Sequence, residues 1–328
     1  MNKKLSACIT GLGMCVPPKI LTNADLEKMV DTSDEWIAQR TGIKERHLVN
    51  GQTLSDLAGI AAEEALQGAN LQGKDLDLII VSTTTPDMQL PSASCLVQKK
   101  LGAKKAACFD LAAACTGFIY ALSVANQFII SGAYKNILVI AAEVLSAITD
   151  WQDRNTCVLF GDGAGAVVLQ PTTEKKGIIS TYLAADGSFS DFLEVPAGGS
   201  RQPASIETVQ QRQHFLKMKG NETFKVAVRM LEEAASKAVS LAGLNYKDVD
   251  CLIPHQANIR IIKATAKRIG LDENKVFVNV DKYGNMSSAS TAVGLYEAVK
   301  QGKIKEGSIV VLTAFGSGFT WGACVIKW

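Results

Sequence analysis

The feature that most constrains this chain is that it repeats itself. LDLIIVST from Leu76, ACFDLAAAC ending at Cys115, ILVIAAE from Ile137 and FGDGAGAVVL from Phe160 follow one another in the first half. VDCLIPHQ from Val249, VFVNVDKYGN ending at Asn285, IVVLTA from Ile309 and FGSGFTWGACVI from Phe315 follow in the same order in the second. In each copy a helical pattern comes after the second motif. Matched order and matched spacing predict two copies of one unit, joined near Pro171–Lys176, which divides the chain into an N-terminal half, 1–172, and a C-terminal half, 173–328.

Within each copy short β-rich runs alternate with longer helical ones, the pattern of an α/β protein. Strands are expected at Ser6–Leu12, Leu76–Thr84, Ala106–Asp110, Asn136–Ala142, Ala164–Leu169, Gly177–Ala184, Val249–Ile253, Val276–Val280, Ser308–Thr313 and Ala323–Lys327. Helices are expected at Asn23–Val30, Thr53–Gly68, Cys115–Ser131, Asn221–Ala242, Gln256–Ile269 and Ser288–Gln301, with Thr53 and Asn221 as N-caps. The helix after Cys115 is apolar almost all round (Phe118, Ile119, Leu122, Val124, Phe128, Ile129), so it belongs inside the protein. Its counterpart carries Ala289, Ser290, Ala292 and Gly294, small enough for close packing. Paired at the centre, the two helices bring Cys115 and Asn285 to a shared cleft.

Composition removes several function classes. Hydrophobic residues at 47% and charged residues at 20% supply a large core. A net charge of +2 gives no reason to expect a nucleic-acid partner. The eight cysteines form no CxxC pair, which suits neither a zinc site nor a small disulfide scaffold. The opening MNKKLSACITGLG is too short and glycine-broken for a signal peptide or a membrane span. A reduced, cytoplasmic protein without membrane association is the expectation.

A thiol at a helix N-terminus meets the positive end of the macrodipole, which favours the thiolate, but a cysteine among alanines is equally a core filler. As a nucleophile it needs a proton acceptor and donors for an oxyanion. Of three histidines, His47 in KERH and His214 in QRQH read as solvated surface. His255 instead follows the apolar strand CLIP, at the carboxyl end where sites gather in α/β sheets, although a structural histidine fits there too. Asn285 is either a turn residue after Gly284 or a neutral donor facing Cys115. No carboxylate completes a triad, and no cluster has metal-ligand spacing. FGDGAGAVVL runs into a strand rather than opening a helix, so its glycines read as close backbone approach rather than dinucleotide binding. Arg260, Lys263 and Lys267 share a helix face, with Arg268 beside them, and make either a solvated face or a patch for an acidic partner.

TNADLEKMVDTSDEWIAQRTGIKER, DLAAACTGF, FGDGAGA, PHQANIRII, YGN and AFGSGFTWG, in this order over nearly the whole chain, resemble the β-ketoacyl-acyl-carrier-protein synthase III family. These are the thiolase-fold condensing enzymes that initiate type II fatty-acid synthesis. The resemblance implies a thiolase-like fold: two duplicated halves, each with a mixed sheet, packed in layers around buried central helices. It implies that Cys115 takes an acyl group from acyl-CoA, and that His255 and Asn285 assist decarboxylation of malonyl-acyl-carrier protein. It implies an oxyanion hole from the backbone N–H groups of Cys115 and Ser317, with Phe315 shielding the site. It matches Trp36 and Arg154 to an adenine sandwich, and Thr32, Arg40, Gly220, Asn258 and Arg260 to the rest of CoA. Arg260, Lys267 and Arg268 match a carrier-protein docking face. Leu90, reaching across a homodimer, shapes the acyl pocket with Leu145, Phe160 and Leu193; being smaller than the aromatic common there, it is expected to admit longer or branched primers. Acyl-CoA is a substrate, and no cofactor or metal is implied. Met286 and Ser317 stand where threonine and glycine are usual, and the polar segment 196–214 is long.

Overall fold

The computed structural model describes residues 5–328. The first four residues of the opening MNKKLSACITGLG lie outside the described residues.

The duplication shows first in the sheets. One sheet holds, in spatial order, Ser6–Cys15, Asp162–Thr172, Ile137–Val144, Leu78–Ser82 and Ala107–Leu111. Leu78–Ser82 runs parallel to both neighbours, whereas Asp162–Thr172 is antiparallel to Ile137–Val144 and to Ser6–Cys15. The other sheet repeats the pattern with Gly177–Ala185, Thr320–Lys327, Ile309–Gly316 and Cys251–Pro254. The central strands Leu78–Ser82 and Ile137–Val144 are buried at every position, as parallel strands covered on both faces require. The chain passes from one sheet to the other between Thr172 and Gly177.

The second half has no full fifth strand. The run expected at Val276–Val280 makes one parallel bridge, Val276 to Leu252, and then turns into the short helix Val280–Tyr283. The Gln256 side chain takes the place of the missing pairing. Its Nε2 donates to the carbonyls of Pro254 (2.7 Å) and Phe277 (3.1 Å), and its Oε1 accepts from Asn279 N–H (3.0 Å). A buried side-chain amide thus satisfies backbone groups that a strand would otherwise pair.

Between the sheets lie the helices Gly117–Ile130 and Ser288–Lys300, whose apolar residues join both sheets in one core. The helix Leu54–Gly68 covers the outer face of the first sheet, and Gly220–Leu241 covers that of the second. This is the α/β, thiolase-like layering expected. Thr53 and Asp56 form the capping box anticipated for Leu54–Gly68. Asn221, in contrast, lies inside its helix, which starts at Gly220 after Lys219 with no side-chain cap. Asn23–Val30 shortens to Asn23–Leu26, and the helices Asp34–Thr41 and Ala93–Lys100 were not anticipated.

The FGDGAGA glycines are where the halves touch. A Cβ on Gly161 would lie 2.4 Å from Tyr283 O, on Gly163 2.5 Å from Met286 Sδ, and on Gly165 2.6 Å from Ala292 Cβ. The Asn285 segment and its helix therefore rest on bare backbone of the first sheet. The sequence echo FGDG/FGSG is offset in space, since Phe160 precedes its strand and Phe315 lies within the preceding one. Replacing Gly165 with Ala forces its methyl against Ala292 and Val293 backbone, and should lower the unfolding free energy by about 1–3 kcal/mol. Urea denaturation should show it as a lower midpoint with an unchanged slope.

Candidate active site

Cys115 sits on a single turn, Ala114–Thr116, between the strand Ala107–Leu111 and the helix Gly117–Ile130. Ala114 has φ +45°, a strained value for a residue with a side chain, and it directs the next residue out of the strand's line. Gly316 of the second half crosses directly above: a Cβ there would stand 2.6 Å from Cys115 N. That crossing sets the Phe315–Ser317 backbone beside the thiol.

His255 follows the last residue of Cys251–Pro254, and its N–H donates to Thr313 O at 2.8 Å. Its ring is buried and Nδ1 has no hydrogen-bond partner. Asn285 is fixed on every side but one. Its N–H donates to Leu159 O (2.8 Å), its carbonyl accepts from Gly161 N–H (3.0 Å), and Oδ1 accepts from Ser287 N–H (2.8 Å). With Oδ1 occupied, the NH2 is the part of the amide left for the cavity. Cys115, His255 and Asn285 line one cavity of about 600 Å³, with Phe315, Gly316 and Ser317. The structure brings these predicted residues together.

Burial keeps both the Cys115 thiol and the His255 imidazole uncharged. Burial pushes the Cys115 thiol up to about 12, with the Ser287 hydroxyl acting downward and the Glu143 carboxyl upward. Burial likewise draws His255 down to about 4. Near neutral pH the site therefore holds a thiol and an uncharged imidazole. The thiolate expected from the helix end is overridden by desolvation, because Cys115 is buried.

Leu145, Phe160 and Leu193 form part of the apolar wall, together with Ile148, Leu159, Leu216 and Met218. Leu90 lies outside the cavity of its own chain and is 85% exposed. The polar segment 196–214 folds back beside the cavity through the helix Ile206–Gln210, and Arg212 pairs with the buried Asp150. It delivers Leu216, whose N–H donates to Ile148 O at 2.8 Å. His47 and His214 are half-buried rather than solvated: His47 Nδ1 meets Pro17 O, and His214 packs on Phe215.

Gly220 and Asn258 lie at the cavity lining. The Asn258 side chain caps Arg260 N–H (2.8 Å) and holds Arg40 O (2.9 Å), so it braces the entrance. Trp36 stands outside with both Arg40 and Arg154 guanidinium carbons 4.8 Å from its ring. Thr32 nearby has a buried hydroxyl without a partner. Arg260, Lys263, Lys267 and Arg268 are exposed on one helix, Ile259–Ile269; Arg268 is paired with Glu232 at 3.0 Å. Sequence reasoning missed Glu143 and Ser287. The signal for Glu143 was available: one acid in the otherwise apolar run ILVIAAEV.

The family model for 3-oxoacyl-[acyl-carrier-protein] synthase III matches residues 109–187, and the model for its C-terminal part matches 239–328. The chain is similar to the β-ketoacyl-[acyl-carrier-protein] synthase III of Caldanaerobacter subterraneus, 54% identical over 100% of this chain and 99% of the relative. Among solved structures it is similar to 3-oxoacyl-[acyl-carrier-protein] synthase III from Aquifex aeolicus, with TM-score 0.92, 49% identity and coverage of 98% and 100%. It is also similar to the priming β-ketosynthase of the R1128 polyketide pathway, with TM-score 0.90, 33% identity and coverage of 98% and 96%.

The depressed His255 gives a signed pH effect. An unfolded histidine takes its proton near pH 6.5, and the folded one only near 4. Between those values the unfolded state binds more protons, so folding stability is fully present above about pH 6.5 and declines as pH falls toward 4. Urea unfolding at pH 7 and pH 4.5 should show this loss in the wild type and a smaller one in His255→Gln.

Proposed function

The chain belongs to the 3-oxoacyl-[acyl-carrier-protein] synthase III family, and from that premise we propose how its residues carry out the reaction. It is a condensing acyltransferase that initiates fatty-acid synthesis. The observation that carries the residue assignment is the convergence of Cys115, His255 and Asn285 on one cavity, with the Asn285 oxygen already bonded inside the protein.

In the first half-reaction the Cys115 sulfur attacks the thioester carbon of a short acyl-CoA. The thiol proton passes to the neutral His255 nitrogen as the S–C bond forms. The tetrahedral oxyanion is held by the N–H groups of Cys115 and Ser317, and CoA leaves as its thiol with the proton returned. A neutral imidazole suits this exchange, because it accepts a proton only while the attack generates one.

In the second, malonyl-acyl-carrier protein enters. Its carboxylate leaves as carbon dioxide, and the electron pair moves onto the thioester oxygen. Asn285 donates from its NH2 to that oxygen, and His255 donates to it after its neutral ring has taken up the Nε2–H tautomer. Both are uncharged donors, so they stabilise charge that appears only during bond breaking rather than the bound carboxylate. Phe315 presents an apolar surface that favours loss of the carboxylate. The carbanion then attacks the acyl-Cys115 carbonyl; the C–C bond forms, the C–S bond breaks, and the sulfur takes a proton from solvent. The product is a 3-oxoacyl-carrier protein.

Trp36 with Arg154 receives the adenine by stacking, and Thr32, Arg40, Gly220, Asn258 and Arg260 contact the rest of CoA. The exposed face of Arg260, Lys267 and Arg268 receives the acidic carrier protein. Leu145, Phe160 and Leu193, closed by Leu90 of a second copy in a cytoplasmic homodimer, set the length and branching of the primer. Acyl-CoA is consumed as substrate, and no cofactor takes part.

Intact mass measurement after mixing with a panel of acyl-CoAs tests the assignment. Acyl mass should appear on the wild type and not on Cys115→Ser, with uptake of primers beyond acetyl; absence of any adduct would overturn it. Lys267→Glu should raise KM for malonyl-carrier protein by about fivefold or more, well above any change in KM for acyl-CoA, with the difference shrinking at high salt.

A further inference from the structure

Glu143 is fully buried and has no part in the reaction as described. It lies near the end of Ile137–Val144, and its carboxyl is surrounded by donors from both halves of the chain. Oε2 accepts from Thr85 Oγ1 (2.8 Å), Thr84 N–H (3.1 Å), Thr84 Oγ1 (3.2 Å) and Thr83 Oγ1 (3.3 Å), all in the first half. Oε1 accepts from Ser287 Oγ (3.0 Å) and Ser288 Oγ (3.2 Å), both in the second. None of these partners is a cation. Two of the threonines have no freedom to turn away: Thr85 Oγ1 accepts from Val144 N–H (2.8 Å) and Thr83 Oγ1 from Thr85 N–H (3.0 Å), which leaves their own hydrogens for the carboxyl.

A buried carboxyl satisfied only by hydroxyls and one amide could be no more than a clasp between the halves. What points further is Ser287. Its φ is +48° and its ψ −126°, a conformation that a serine holds only when its surroundings impose it. That conformation aims its N–H at Asn285 Oδ1 (2.8 Å). Oε1 is the acceptor that ties the Ser287 side chain down.

We propose that Glu143 is a positioning residue for the condensation step, acting through Ser287 to keep the Asn285 amide turned with its NH2 toward the cavity. The proposal rests on the reading of Asn285 as a donor to the thioester oxygen. An asparagine amide rotated by half a turn exchanges donor for acceptor. Released from Ser287 N–H, Asn285 would present oxygen to the developing enolate oxygen, and stabilisation would become repulsion. Acyl transfer to Cys115 does not use the Asn285 amide, so the two half-reactions depend differently on Glu143.

Glu143→Gln tests this. The amide keeps one acceptor for the threonines and turns its NH2 toward Ser287 and Ser288, which lose theirs. Single-turnover condensation of preformed acyl-enzyme with malonyl-carrier protein should slow by about tenfold or more relative to acyl transfer from acyl-CoA, with KM for malonyl-carrier protein little changed. Ser287→Ala cuts the same connection while leaving the carboxyl in place, so it keeps the test open if the glutamine variant does not fold. It should show the same split, and the double variant should be no worse than the more affected single one. Equal losses in both half-reactions, additive effects, or no change in condensation would each overturn the proposal and leave Glu143 as a clasp. Asn285→Ala separates the two ideas: if it condenses as fast as the wild type, the reading of Asn285 fails; if it is slow while both Glu143→Gln and Ser287→Ala are not, only the role of Glu143 fails.

Discussion

Everything at the centre of this molecule depends on a contact between backbone and side chain that leaves no room for a second side chain. The helix Ser288–Lys300 and the segment leading into it lie on the FGDGAGA strand, where Gly161, Gly163 and Gly165 offer no Cβ to hold them off. On the other side Gly316 passes over Cys115 with the same economy of space. These approaches make the two halves one body and bring Cys115, His255 and Asn285 to one cavity. Close packing of this kind transmits small displacements rather than absorbing them, so a methyl group added far from the sulfur still reaches the site.

The cavity so formed works without fixed charge at its reacting groups. Burial holds the thiol protonated and the imidazole unprotonated. An enzyme that must accept an uncharged thioester and then expel a carboxylate as carbon dioxide is served by this arrangement. A resident cation would stabilise the carboxylate in the ground state and slow its departure. In the proposed mechanism, groups that donate hydrogen bonds while remaining neutral act later, when the electron pair reaches the thioester oxygen.

The fold was legible wherever periodicity and repetition spoke together. Duplicated runs ending at Cys115 and Asn285 disclosed the two halves, and the apolar helix after Cys115 declared its own burial. Legibility failed where a side chain stands in for backbone. Nothing in PHQANIRII shows that Gln256 completes the pairing of a strand that stops at Val276. It failed also where position outweighs residue type: the helix-end argument for a thiolate ignored the depth of Cys115, and the polar look of KERH concealed a half-buried His47. At the site, Cys115, His255 and Asn285 could be picked out because each departs from its surroundings. Ser287 could not, since a serine among serines carries no signal until its backbone angles are known.

The self-stacked Trp36 has a consequence for turnover. Two guanidinium groups lie over its ring, and one of them is also bridged to Asp31 at 3.1 Å. In the adenine site proposed for Trp36 and Arg154, a purine would trade places with a cation already over the ring rather than fill a waiting slot. The displaced arginine remains tethered beside the ring at high effective concentration, an internal rival that is never diluted away. On the proposed CoA reading, such a rival would weaken the grip on spent CoA as much as on fresh acyl-CoA. Under that reading, the same eviction would ease the departure of CoA before the carrier protein docks.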